Sequence, residues 1–503
     1  MPASQQTPDP AAQQRVFNRL NAPIRTRDDL LHLFVTDLGF THIEQPIPVR
    51  EDTFGRGQVL EFARQCRPLR LAGHNGLEIL YAELDGDRLD YTRQRVLATQ
   101  LLRTFPDALF VFARKATLGQ PEGAEVHLVN VKGTDKKIFR RFKLGPGQKY
   151  RTASERLALL DLTNEPDLSL LELRHRLDDA FDVEAVTEEF FKHYKRVFAD
   201  LQDRLTRTSR DKVWAHDYAL QLLNRLMFLY FIQRKRWLGD DPNFITRFWR
   251  TYKTSGQPKN TFFEQWLSVL FFEAFNNKFQ AGRQDRKHFP DDIRKALAQA
   301  PFLNGGLFAP NQLDDAYDPK LPDEFFEMLF DRFEGTSPGF LERYNFTITE
   351  STPLDVEVAV DPEMIGKVYE SLVNITFEGL TEEDLRGSAG IFYTPRVEID
   401  LMCRLSLVDC LANHIGADKR PLLYDAVFAY DPADKESADA ALTAQNLWPE
   451  LNRLLHQITV CDPACGSGSF LVGMLLVLDD LQARQRTTRH RRNALRTTTP
   501  HHR

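Results

Sequence analysis

The 503-residue chain has no apolar run approaching the roughly 20 residues that span a bilayer. Its start, Met1 to Arg15, is polar and rich in Pro, Gln and Ala, not a charged segment followed by an apolar one. Both absences point to a chain that stays off membranes and is read as cytoplasmic. Cysteine is scarce. Its five residues, Cys66, Cys403, Cys410, Cys461 and Cys465, include no C-x-x-C pair, which argues against a disulfide framework or a zinc site. Acidic side chains are missing from one stretch, for none follows Asp480, while Leu481 to Arg503 carries seven arginines. The net charge of -6 therefore leaves -13 on the rest. A body this acidic is no uniformly basic nucleic-acid binder, so contact with DNA would come from local Lys/Arg patches.

With 42% hydrophobic and 27% charged residues, the composition is that of soluble globular proteins, and the length calls for two or three domains. Residues 1–149 read as a small α/β domain. Leu69 to Ala72 and Leu77 to Leu84 flank His74-Asn75-Gly76, whose Asn-Gly step suits a tight hairpin turn. A helix from about Asp90 to Thr104 and strands at Ala108–Phe112 and Val126–Val129 follow. Residues 150–345 read as a Phe-rich helical domain. Val186 to Leu201, Trp214 to Leu238 and Phe262 to Phe279 repeat apolar residues every three or four positions. The aromatics Tyr218, Phe228, Tyr230 and Phe231 sit at core spacing, not interleaved with Lys/Arg as on a base-stacking surface. Asn304 to Asp318 reads as loop.

From residue 346 the pattern changes. Asp361 to Leu372 predicts a helix, Arg386 to Gly390 a loop, and Val397 to about Leu411 a second helix. The second has Val397, Leu401, Leu405 and Val408 as its apolar face, Thr394 as cap and Pro395 in the first turn. A charged, Ala-rich insert ends near Gln457. Ile458-Thr-Val-Cys461 then reads as a short strand, Asp462-Pro-Ala-Cys-Gly-Ser-Gly468 as a turn, and Ser469 to Leu475 as the start of an apolar helix. Gly466 and Gly468 would let backbone approach a ligand, and the helix would offer it N–H groups. Glycine in a strand-to-helix turn can also be purely structural.

The full string Asp462-Pro-Ala-Cys-Gly-Ser-Gly-Ser-Phe470 resembles the S-adenosylmethionine-binding motif of adenine-specific DNA methyltransferases. Gly390-Ile-Phe-Tyr-Thr-Pro395 is similar to the element that precedes this loop in that family and closes over the cofactor's methionine end. Tyr344 to Glu350, Asp361 to Gly366 and Val368 to Leu372 resemble the lead-in to the methyltransferase domain of single-chain, type IIG restriction-modification enzymes. Leu222 to Phe231 is similar to their helical region. The resemblance spans roughly Tyr150 to Leu478 and is sharp from Tyr344 onward. It implies that residues 346–481 begin a Rossmann-like S-adenosylmethionine-dependent domain acting on double-stranded DNA. Asp462, Ala464, Gly466, Gly468, Phe470, Phe392, Thr394 and Pro395 would be its cofactor-binding residues. For Phe392 and Thr394, a core aromatic and a helix cap are equally good readings.

The same resemblance implies what else to look for. The family holds an adenine flipped from the duplex in an Asn-Pro-Pro-Tyr-type tetrapeptide, and this sequence has no Pro-Pro dipeptide. No catalytic residue is assigned. An acid for the cofactor ribose, expected about 20 residues after the glycine loop, is absent beyond Asp480. Residues 482–503, rich in Arg, Thr and His, read as a disordered tail. A shifted reading frame explains them more simply than a DNA-binding arm. Type IIG enzymes carry a nuclease in front of the methyltransferase, so the resemblance invites a metal-dependent nuclease reading of the front domain, against the preferred reading of a degenerate nuclease-like or unrelated α/β domain. Its nearest candidates are Asp107 with Asn130 and Lys132, where an amide stands in place of the second carboxylate, and Glu78, Glu83 and Asp85, which form no acid-x-Lys triplet. Three functions stay open: a truncated adenine methyltransferase inactive alone, one half of a split enzyme completed by a separate chain, and a non-catalytic DNA-binding or interaction module.

Overall fold

A computed structural model of the chain describes residues 8–497, except 56, 134–136, 304–305, 331–338, 349–354, 362–363, 365–393, 431 and 466–467; the side chains of 58, 432 and 487–497 are likewise not described. The chain divides into two compact units, Met1–Glu350 with Val356–Met364, and Ser351–Asp355 with Ile365–Arg503.

The first unit is built on a seven-stranded sheet in sequence order. Strands β1 (Thr41–Pro46), β2 (Leu69–His74) and β3 (Leu77–Leu84) form an antiparallel meander. The β2–β3 turn forms where the Asn-Gly step predicts it, since Asn75 and Gly76 both take positive φ, 46° and 95°, the backbone of a tight hairpin. After helices α1 (Gln58–Cys66) and α2 (Tyr91–Leu101), β4 (Ala108–Arg114) joins β3 in parallel. The Asp90 carboxylate starts α2 by accepting the Arg93 N–H at 2.9 Å. Strands β5 (Val126–Lys132) and β6 (Ile138–Leu144) add antiparallel, and β7 (Asp355–Glu357) closes the far edge.

Leu80, Ala82, Phe110, Phe112, Val129 and Phe139 share a core with Leu97, Ala98 and Leu101 of α2. Ile79, Leu109, Val111 and Leu128, on the opposite face by strand alternation, are equally buried. Burial on both faces is why β4 reads as an unbroken apolar run.

Helix α3 (Leu170–Ala180) opens on a Ser169/Glu172 capping box, α4 (Val183–Ser209) on Asp182 and α5 (Lys212–Arg234) on Asp211, each carboxylate or hydroxyl accepting a first-turn N–H. Tyr218, Leu222, Leu226 and Tyr230 are buried as their spacing predicts, while Phe228 stays 42% exposed. Helix α6 (Phe244–Thr254) carries Trp249 into an aromatic core with Phe262, Phe326 and Phe330. Two sequence expectations need correction in this unit. Residues Phe263–Leu267 and Val269–Glu273 wind as wide π turns, not as a regular α-helix. The expected loop before Asp318 contains a short helix, Gln312–Ala316, nucleated by an Asn311/Asp314 capping box.

The described part of the second unit is helical. Helices α7 (Arg396–Ile415), α8 (Arg420–Val427), α9 (Pro432–Ala444), α10 (Trp448–Gln457) and α11 (Ser469–Thr497) share one core, with Leu407, Leu411, Leu423, Leu442, Leu451 and Val477 at its centre. Here the sequence expectations fare worse. Ile458–Cys461 belongs to no strand among the described residues. Ile458 has extended dihedrals, but a strand needs a neighbour, and none is described beside it.

The tail expected to be disordered continues α11 to Thr497. No Gly or Pro interrupts residues 474–499, and Arg, Gln, Ala and Leu are good helix formers, so the helix has no reason to stop at Leu481. Helix α7 buries Ile399, Cys403, Leu407 and Leu411. Val397, Leu401 and Leu405, expected inside, are exposed, so of the expected apolar face only Val408 is buried. Pro395 occupies the cap position without a side-chain capping bond, and Thr394 therefore does not cap the helix. The predicted helix at 361–372 and loop at 386–390 lie outside the described residues, save Asp361 and Met364.

Candidate functional site

The loop that carries the methyltransferase resemblance joins α10 to α11. Asp462 turns the chain, its Oδ1 accepting the Ala464 N–H at 3.0 Å. Its Oδ2 is buried and has no hydrogen-bond partner among the described residues. Gly468 has φ +80° and donates its N–H to the Cys465 carbonyl at 2.7 Å, and its own carbonyl then accepts from Val472 as α11 begins. A Cβ at 468 would meet no atom within 4 Å. The glycine is therefore required there by the left-handed backbone and not by crowding inside the chain. Gly466 and Phe392 lie outside the described residues, so their place relative to the loop is not part of this geometry.

Helix α7 packs against the start of α11 through a close contact that sequence reading missed. A Cβ at Gly473 would stand 2.7 Å from Ile399 Cγ2 and 3.5 Å from Cys403 Sγ, so only glycine lets the helices approach this far. The Cys403 thiol donates to the Phe470 carbonyl at 3.5 Å. Burial raises the Cys403 pKa, the Asp400 and Asp462 carboxylates raise it further, and Arg404 works against them, so the thiol stays protonated. Asp400 is itself held by Arg404, at 2.8 and 2.9 Å, and by the Tyr430 hydroxyl, while Arg404 lies over the Tyr430 ring, 4.3 Å from its centroid. Only the spacing of Cys403 from Ile399, one helical turn, hinted at this contact. Thr394 is half-buried and Pro395 exposed, at the head of α7.

The residues present fit the amino-acid end of S-adenosylmethionine. The N–H groups of Phe470 and Leu471 in the first turn of α11 have no acceptor within the helix and suit a carboxylate, and Asp462 Oδ2, without a hydrogen-bond partner among the described residues, can accept from an ammonium group. Cys461 and Cys465 flank the turn as exposed free thiols.

The nuclease candidates of the first unit are engaged in ion pairs or hydrogen bonds. Asp107 lies 3.0 Å from Arg174 of α3, while Asn130 donates to Asp178 at 3.2 Å and Lys132 stands 3.3 Å from the same carboxylate. Helix α3 thus lays opposite charges over both the acid and the lysine. Glu78 is clamped by Arg70 at 2.6 and 3.0 Å, Glu83 accepts from the Tyr81 hydroxyl, and Asp85 faces Lys115 at 3.7 Å. Among the described residues, no three His, Cys, Asp or Glu side chains stand where they could hold a metal. No helix among them is long and apolar enough to cross a membrane.

No family model and no solved structure matches the chain. It is similar, at 29% identity over 277 residues, to a curated protein of Methanocaldococcus jannaschii named "putative type II restriction enzyme and methyltransferase". The matched stretch is 53% of this chain, and it spans about a fifth, 21%, of the length of that relative.

Proposed function

We propose that the chain carries the cofactor loop of a restriction-modification DNA methyltransferase of the type IIG kind, one that uses S-adenosylmethionine and acts on the N6 amine of adenine in double-stranded DNA. The observation that carries this reading is the Asp462–Phe470 string at the head of a long helix, with one Asp462 oxygen buried and without a hydrogen-bond partner among the described residues. The similarity to a protein named as restriction enzyme and methyltransferase supports it independently. When bound, the cofactor supplies an activated methyl group. The work of this chain is to hold it: Asp462, Ala464, Gly466, Gly468 and Phe470 cradle its methionine end, and Phe392, Thr394 and Pro395 close over it. Within residues 1–503 no Pro-Pro tetrapeptide holds the target base, so transfer needs strands and base contacts from outside this sequence. Eight exposed apolar side chains favour that second half of the reading: Val397, Leu401, Met402 and Leu405 on α7, and Leu471, Val472, Leu475 and Leu476 on α11.

Calorimetric titration with S-adenosylmethionine tests the loop. The chain binds the cofactor, Gly466→Val abolishes binding, and Asp462→Asn weakens it about tenfold; wild-type affinity in both variants removes the loop from the site. Tritiated-methyl incorporation into mixed-sequence DNA tests the second half, and the chain alone is expected to match a no-enzyme control.

A further inference from the structure

The segment after Asp480 is an ordered continuation of α11 by its backbone, and that gives its charge a geometry. The first arginines are spent within the unit. Arg484 is buried, bonded to Asp439 at 2.6 Å and to the Ala426 carbonyl at 2.8 Å. Arg486 stands 3.9 Å from Asp479. The next four, Arg489, Arg491, Arg492 and Arg496, have no carboxylate within a helical turn in sequence: the positions three and four away hold Gln485, Arg486, Thr487, Thr488, Asn493, Ala494, Leu495, Thr499, Pro500 and one another. At 1.5 Å rise per residue they occupy a rod about 11 Å long, against one DNA charge per roughly 1.7 Å of duplex axis. Spacings of three and four residues put Arg489, Arg492 and Arg496 in one row.

We infer that residues 489–496 form a phosphate-contacting helix for duplex DNA. This rests on the DNA-directed reading above but not on the cofactor loop. A basic helix that lay on a membrane would need an apolar face, and residues 482–497 contain only Ala483, Ala494 and Leu495 as apolar residues. Favourable interaction with the helix dipole accounts for cations in the last turn only, whereas these four span two turns. Phosphate contact positions a protein on DNA without reading sequence, a role that suits a segment with four arginines and no acidic residue.

The test is fluorescence anisotropy of the full chain on a labelled 20-base-pair duplex of mixed sequence, between 50 and 200 mM salt. Four phosphate contacts give a slope of log affinity against log salt near -3.6, a loss of about 150-fold over that range. The quadruple Arg→Gln variant at 489, 491, 492 and 496 is expected to lose most of that slope and to bind at least tenfold more weakly at 50 mM salt. The quadruple Arg→Lys variant keeps both, which separates charge from loss of helix. An unchanged slope in the Gln variant overturns the inference, as does binding of the wild type to phosphatidylserine vesicles as tight as to DNA. Either result leaves the cofactor titration untouched.

Discussion

The two units bury their side chains to different degrees. In the first, charged groups are enclosed along with their partners. Arg225 is fully buried, forked onto Asp314 at 2.6 and 2.8 Å, and donates to the Leu307 carbonyl at 2.6 Å. In the second, exposed apolar side chains gather on two helices, four on α7 and four on α11, with Leu475 64% exposed and Val397 60%, whereas those of the first unit, among them Leu171, Val213 and Phe302, are scattered along the chain. Enclosing one such side chain contributes roughly 1.5–3 kcal/mol, so the two stripes of the second unit leave a large stabilisation unrealised in one place. The difference teaches that a helical unit can have a sound core and still be the uncovered face of a larger fold.

The largest expected effect lies in the closed unit. Asp314→Ala leaves a guanidinium buried without its counter-charge and should cost about 3–5 kcal/mol. With 5-fluorotryptophan incorporated, Trp214, Trp237, Trp249 and Trp266 report on the first unit and Trp448 on the second, by fluorine NMR during urea unfolding. The first four resonances should shift their midpoint and Trp448 should not. A matching shift at Trp448 would mean that the two units unfold as one, which breaks the comparison.

Next comes the helix contact beside the loop. Gly473→Val drives a β-branched side chain into Ile399, itself stiff at χ1, and overpacking of this kind costs about 1–3 kcal/mol. Only the Trp448 midpoint is expected to fall, and S-adenosylmethionine affinity should fall with it, because Phe470 lies on the same contact.

What was legible in the sequence follows the same division. The β2–β3 hairpin could be read because Asn75 and Gly76 encode a backbone conformation locally, and α2 could be placed because Asp90 caps it. Both signals are complete within a few residues. The apolar face of α7 could not be read, because the helix is apolar on two sides and only tertiary packing decides which is buried first. Val397, Leu401 and Leu405 make as good a stripe as Ile399, Cys403 and Leu407. The strand expected at Ile458 failed for a related reason, since β-branched sequence specifies a strand only where a neighbour exists to pair with it. In the candidate site, Asp462, Ala464, Gly468 and Phe470 were legible as one contiguous string. The role of Cys403 was not, because its contact with Phe470 spans 67 positions of sequence.

A smaller effect separates the units by pH. His127 on β5 is 2% exposed, bonded through Nδ1 to Gln94, and burial, then Lys143 and Arg141, hold its pKa well below the ordinary 6.5. Glu125, 3.9 Å from Nε2, would favour the charged ring, but desolvation dominates. The unfolded chain therefore binds a proton that the folded one refuses, so this contribution is full above pH 6.5 and is lost as pH falls below it. The loss grows as pH falls further below that value. Between pH 7 and 5.5, His127→Gln should show a flatter decline than wild type at the four first-unit resonances. Equal declines would assign the acid sensitivity to carboxylates instead.

The smallest effect is the most telling for the comparison. Leu401→Asp and Leu475→Asp change large apolar side chains to charged ones, a substitution that in a closed core would cost several kcal/mol. Leu407→Ala, in the buried row of the same α7, should cost about 2–5 kcal/mol. If the α7 and α11 stripes face water in the isolated chain, each Asp variant should move the Trp448 midpoint by no more than about 0.5 kcal/mol, the range of surface substitutions. The variants should also bind less of an apolar dye and sediment with less self-association, because the removed surface is what other molecules would cover. A Trp448 midpoint lowered by as much as in Leu407→Ala would show that the stripes are already covered in the purified chain. The second unit would then be as closed as the first, and the case for strands supplied from outside residues 1–503 would lose its main physical support.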